Sequence, residues 1–245
     1  MTISSTRTPL PSTQERPTFN TQFSQAITEP RKLFASLNTY PTWLAPLLLL
    51  TLSTAAVSAW YYSVVDFEWL KEQALLSIAD VNVRETARLA IQRPMLLTSA
   101  LMHDMLLMPL GWALMALYLF CVSKLLAFNR SFRQWFALVV WSNMPHFLLL
   151  VSGAAQILLS TDGQISTSQV HPLSLNQLVL QLRSGPWIGL AEAIDVGLIW
   201  SIMLLALGVR SWTRRSWPTC LAIALLPPFI VYGGWALVIS LGFIK

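Results

Sequence analysis

The chain has 245 residues, 55% of them hydrophobic and 11% charged, with a formal net charge of +5 at pH 7. A soluble domain carries about 25% charged residues, so this composition excludes an ordinary soluble enzyme and indicates an integral membrane protein. The positive excess is not a nucleic-acid footprint, because the Lys and Arg residues are scattered around apolar segments and form no separate stripe.

Residues 1–41 are rich in Ser, Thr and Pro and lack an apolar stretch near Met1, so no cleavable signal peptide is expected. This segment reads as a cytoplasmic tail, flexible over residues 1–18. FNTQFSQAITEPRKLFASL, Phe19 to Leu37, carries apolar residues at mixed three and four spacing around Pro30. It reads either as short amphipathic turns at the membrane interface or as a disordered linker. Residues 42–245 form the membrane domain. Charge is absent from Leu33 to Val65, Met105 to Ser123, Gln134 to Thr161 and Ser216 to Ile244. A crossing helix needs roughly 20 apolar residues. The patterning therefore predicts an all-α, polytopic integral membrane protein with five transmembrane helices, near residues 42–64, 101–124, 133–160, 188–209 and 217–241.

Loop charges orient the bundle. Arg7, Arg16, Arg31 and Lys32 precede the first span, Lys124, Arg130 and Arg133 join the second to the third, and Arg210, Arg214 and Arg215 join the fourth to the fifth. The N-terminus is thus expected in the cytoplasm and the C-terminus at Lys245 outside. Of the two external loops, Asp66 to Pro94 predicts one or two surface helices ended by Pro94. The second begins with a turn at Asp162-Gly163, and its apolar run Leu178–Leu182 dips toward the interface.

Two hairpins look alike. KLLAFNRSF followed by RQWFALVVWSNMPHFLLL parallels LALGVRSWTRRSW followed by PTCLAIALLPPFIVYGG. Ser131-Phe132 matches Ser216-Trp217, and Pro145 matches Pro227-Pro228. The similarity fits a parallel internal duplication or the shared grammar of helical hairpins.

GLAEAIDVGLIW, Gly189 to Trp200, places two carboxylates in the fourth span, where charge is costly. At 1.5 Å per residue, Asp195 lies about 22 Å and Glu192 about 27 Å from Arg210. Glu192 is expected at the outer headgroups, and Asp195 inside, satisfied by a neighbouring helix. His146, about 20 Å from Arg133, is its preferred partner. Asn143 is expected to bond a neighbouring helix. His103 and Asp104 read as a wet helix entrance. Pro109, Pro145, Pro227 and Pro228 are expected to kink their helices. Gly189, Ala193 and Gly197 make two small-xxx-small steps, a face for close helix packing within the chain or between subunits. Trp43, Trp60, Trp112, Trp135, Trp187, Trp212 and Trp217 are expected at the headgroup level.

No Gly-rich phosphate loop, HExxH or nucleophile elbow occurs, and Cys121 and Cys220 sit in apolar segments without metal-ligand spacing. No enzyme activity, cofactor or metal is expected.

LYLFCVSKLLAFNRSFRQWFALVVWSNMP (Leu117 to Pro145), DVGLIWSIMLLALGVR (Asp195 to Arg210), FSQAITEPRKLF and HPLSLNQLV resemble the Yip-one domain family of Ypt/Rab-interacting five-span membrane proteins. The resemblance extends from about Phe19 to Gly242. It implies five spans with a cytoplasmic N-terminus and no catalytic residues. The short tail looks more like a bacterial member, in the cytoplasmic (inner) membrane. Two functions follow. One is a non-enzymatic scaffold organising membrane lipids and a membrane protein partner or second copy. The other is a small-solute or ion transporter using the polar intramembrane residues.

Overall fold

The computed structural model describes residues 16–75, 80–183 and 185–243. Residues 1–15 of the tail and Lys245 lie outside them. The described chain is all-α, and five of its helical segments are long and apolar enough to cross a membrane: Leu44–Val64, Arg93–Leu125, Phe132–Leu159, Val196–Thr213 and Trp217–Ser240.

The chain enters through α1 (Phe19–Thr28) and α2 (Pro30–Thr39). Thr18 caps α1 by accepting from the Thr21 N–H, and Pro30 opens α2 at a position where its missing N–H costs nothing. These helices form part of the core. Leu33, Phe34 and Leu37 are at most 1% exposed, so the segment is two helices packed on the bundle rather than a disordered linker. It is pinned through backbone carbonyls: the Trp212 indole donates to Phe34 (2.8 Å) and Trp141 to Thr42 (2.8 Å). The Gln134 amide donates to Asn38 (2.6 Å). Each bond satisfies a donor away from water, and together they fix the collar on two helices, one carrying Gln134 and Trp141 and the other Trp212.

Helix α3 (Leu44–Val64) is 21 residues long, about 31 Å at 1.5 Å per residue, the thickness of the hydrocarbon layer. It starts beside the middle of α8 (Phe132–Ser142), where the Trp43 and Phe136 rings lie 5.3 Å apart. The first turns of α8 therefore project past the start of α3, as do the last turns of α12 (Val196–Thr213), whose Gly208 lies against Leu138. Helices α1 and α2 wrap these projecting ends. Ala137 to Trp141 are buried on every face, which an α-helix tolerates only inside a protein core. Burial overturns the headgroup placement of Trp135 and Trp212 at this collar, and of Trp112 deeper in the bundle. Their rings fill a core, as the 5.1 Å Trp135–Trp212 contact illustrates.

The loop after α3 forms α4 (Phe67–Leu75) and α5 (Val81–Ala90), the latter capped by Asp80. Pro94 does not end a surface helix. It sits in the first turn of α6 (Arg93–Met102), which extends the second span eight residues earlier than its charge pattern predicts. Arg93 donates to the carbonyls of Tyr62 (2.9 Å) and Val65 (3.2 Å), placing a cation at the C-terminal end of α3.

The second span continues through a π-helical turn, His103–Leu107, into α7 (Met108–Leu125). Pro109 follows at once and has no N–H for the carbonyl four residues back, so the wider turn falls where the ladder is already broken. The third span breaks at Asn143–Pro145 between α8 and α9 (His146–Leu159). The fourth departs most from its expected form. A short α11 (Trp187–Ala193) ends before an extended Ile194-Asp195, and α12 starts only at Val196. Helix α13 (Trp217–Ser240) runs on through Pro227 and Pro228. The two similar hairpins thus differ at their prolines, although each basic turn uses one left-handed residue, Ala127 or Arg214.

Candidate functional site: a polar cavity at three helix interruptions

The interruptions of the second, third and fourth spans face a common cavity of about 500 Å³. Asp104, His146, Glu192 and Asp195 line it, with Tyr61, Tyr62, His103 and His171. The sequence scatters these residues over more than half the chain.

His103 and Asp104 separate in the fold. The His103 side chain is largely exposed, whereas Asp104 is 5% exposed. Asp104 lies in the π-helical turn and accepts from the Ser58 hydroxyl of α3 (2.6 Å), with His103 Nδ1 3.1 Å from its other oxygen. Of the two, only His103 is open at the surface. Asp104 ties the first span to the second.

Asp195 is the N-cap of α12: its carboxylate accepts from the Leu198 N–H at 2.6 Å. That explains the break. An Asp in extended conformation satisfies a free donor at the new helix start and places negative charge at its positive end. The unwound backbone is satisfied by the preceding loop. Leu175 N–H donates to Ile194 (2.7 Å) and Val196 N–H to Leu173 (3.1 Å), an antiparallel bridge of Ser174 with Asp195. Irregular backbone is tolerated at membrane depth only when protein supplies such partners. Ser174 and Asn176 are accordingly buried, and Asn176 exchanges two hydrogen bonds with the backbone of Leu182. The apolar run Leu178–Leu182 is anchored here by a π-helical turn at Asn176–Leu180.

His146 takes other partners. Its Nδ1 lies 3.2 Å from the Asn143 carbonyl and 3.3 Å from the Ser201 hydroxyl of α12. His146 and Asp195 line the same cavity, but no hydrogen bond joins them. His146 also borders a second cavity, of about 410 Å³, with Asn143, Ser201, Pro227 and Pro228. The Asn143 amide donates to Val139 in its own helix (2.8 Å), so it steadies the break rather than bridging helices. Glu192 accepts from the Ser168 hydroxyl of α10 (Thr167–Val170), which ties the far loop to α11. His146 lies within two turns of Trp141, which bonds the residue two before α3.

The glycine face is split by the same break. Gly197 is buried against Leu149, while Gly189 is exposed beside Trp235. The tighter approaches are elsewhere. A methyl on Gly208 would meet Leu138 Cδ1 at 2.2 Å, and one on Gly153 would meet the Val170 carbonyl oxygen at 2.6 Å. Ser58, Ser168, Ser174 and Ser201 carry no recognisable motif. Their signal is a hydroxyl inside or beside an apolar run, and only the fold says which carboxylate or backbone each one meets. Among the described residues, no group of three or more His, Cys, Asp or Glu is arranged to hold a metal.

The model of the Yip1 domain matches residues 24–238. The chain belongs to the Yip1 domain family. Comparison with curated proteins and with solved structures gives no match. The Yip1 match runs from within α1 almost to the end of α13, so α2 and the interrupted spans fall within the domain. The Yip1 family consists of non-catalytic membrane scaffolds, and the chain is a polytopic membrane protein of that family.

Proposed function

We propose that this protein is a scaffold of bacterial type in the cytoplasmic membrane. Its N-terminus and basic turns face the cytoplasm and its C-terminus lies outside. It gathers membrane lipids and a membrane protein or second copy on the surface built by α1, α2 and the basic turns. The collar carries this reading. A scaffold needs an ordered aqueous face, and three side-chain bonds from Gln134, Trp141 and Trp212 hold this one rigidly on the bundle. The orientation rests on the basic excess at this end, where Glu29 is the sole acidic residue from Arg16 to Val65.

Two experiments test it. Single-cysteine labelling at positions 128 and 170, in a background lacking Cys121 and Cys220, is expected to place them on opposite sides, with 128 inside. Labelling both from one side sinks the topology. A pull-down from native membranes, with lipids and proteins both identified, is expected to lose its partners when Phe34→Ala loosens the collar. Asp195→Asn is expected to keep them.

One observation favours a second reading, a permeation protein: His146 and Asp195 border one cavity with Asp104 and Glu192. Proteoliposome flux that Asp195→Asn abolishes, with folding intact, would decide for it. Flux at the level of protein-free vesicles decides for the scaffold.

A further inference from the structure

The corner between α1 and α2 leaves a groove of about 550 Å³ against α12 and α13. One lip carries Glu29, Arg31 and Lys32, and the wall carries Trp200, Met203, Leu207 and Trp217. Trp200, Met203 and Leu207 follow one another at helical spacing, an apolar stripe about 10 Å long. Met203 is 48% exposed, so the stripe is not closed off by protein.

The lip is cationic. Lys32 pairs with Glu29 at 2.8 Å. Arg31 makes no ion pair or side-chain hydrogen bond among the described residues. Arg210 adds a further cation nearby, its guanidinium 4.9 Å from the centre of the Trp217 ring. The groove also lies at a definite level. Gly208 touches Leu138, one turn from Trp141, whose indole bonds Thr42 just before α3 begins. Leu207 and the charged corner therefore sit where the layer defined by α3 starts, and the stripe runs from there toward Trp200, into the hydrocarbon.

Apolar side chains alone describe any lipid-facing helix. Cations placed at the headgroup level above a continuous apolar channel select among lipids, because each Lys or Arg near an anionic membrane surface contributes about 1 kcal/mol. A zwitterionic headgroup would bring its own cation against Arg31.

We propose that this groove holds an anionic phospholipid, its phosphate against Arg31 and Lys32 and one acyl chain along Trp200, Met203 and Leu207. The test uses the full chain in nanodiscs of equal phosphatidylglycerol and phosphatidylcholine, one of the two carrying a diazirine in its acyl chain. Peptide mapping after irradiation is expected to find adducts at Trp200–Leu207 at least about five-fold more abundant from phosphatidylglycerol. Arg31→Gln with Lys32→Gln is expected to bring the two lipids to parity. Glu29→Gln, which frees Lys32, is expected to widen the ratio. These exposed side chains leave the core untouched, and a melting curve checks that both variants fold. If the double variant does not fold, Glu29→Gln alone decides. Equal adduct yields in the parent protein, or a ratio indifferent to these charges, overturn the proposal. So does loss of the preference in excess inorganic phosphate, which would assign the lip to a free anion. Shielding of the stripe by a co-purifying protein overturns it as well.

Discussion

The two ends of this bundle use opposite means to hold their helices. At the collar, Leu33, Phe34, Leu37, Trp135 and Trp141 interlock in a largely apolar core, with the polar contacts mostly side chains that donate to backbone carbonyls and one Thr42 hydroxyl that donates to the buried Gln22. At the cavity, the spans are held by carboxylates and hydroxyls, Ser58 on Asp104, Ser168 on Glu192 and Asp195 on its own helix start. The difference follows from the solvent. The projecting ends of α8 and α12 would stand in water, so apolar burial drives their covering. Inside the layer lipid is as apolar as leucine, and helices gain specificity from hydrogen bonds and close backbone approach.

The comparison is broken most severely by emptying the collar. Phe34→Ala is expected to cost about 3–5 kcal/mol, because it leaves a hole in a closed apolar core. It should appear as a lowered unfolding midpoint in detergent. If the loss is under 1 kcal/mol, α2 is a surface attachment and the apolar core is not structural.

At the cavity, Ser58→Ala strips a partner from a buried carboxylate, and about 1–3 kcal/mol should be lost. Ser58→Ala with Asp104→Ala together should recover part of it, since no charge is then left unpaired. A double variant worse than the additive sum would show that the pair is not coupled in this way.

Close approach sharpens the contrast. Gly153→Ala would press a methyl on the Val170 carbonyl, which belongs to the backbone of α10, at about 1–3 kcal/mol. Gly197→Ala meets the end of Leu149, a side chain that borders the cavity and has room to turn. It should cost less than Gly153→Ala in the same melting assay, and the reverse order would place the rigid contact at Gly197.

The smallest effect separates cap from charge. Asp195→Ala removes the N-cap and should cost about 1 kcal/mol, whereas Asn caps as well as Asp and should leave stability nearly unchanged. Equal losses from both would mean that the charge itself anchors the span.

The five apolar segments, their order and the basic turns were legible because each is a local property of composition, and hydropathy needs no partner to be read. The ends of spans were less legible. Arg93 looks like a loop residue until it is seen bonding the last carbonyls of α3, and Ile188 to Ala193 reads as span until the chain unwinds at Asp195. The collar was invisible for a related reason: the amphipathic spacing of Phe19–Leu37 was readable, but nothing in it names Trp212 or Gln134 as what it packs against.

By itself, then, the sequence determined that this chain lives in a membrane, how many of its segments are long and apolar enough to cross it and which residues are costly there. The partners that offset those costs were decided only by the tertiary structure. Helix rotation and depth fix whether Asp104 meets Ser58, whether Asp195 turns to its own backbone or to His146, and whether a tryptophan meets headgroups or core. A 3.6-residue period sets the neighbours along a helix, but the angle at which one helix faces another belongs to the packing of the whole bundle.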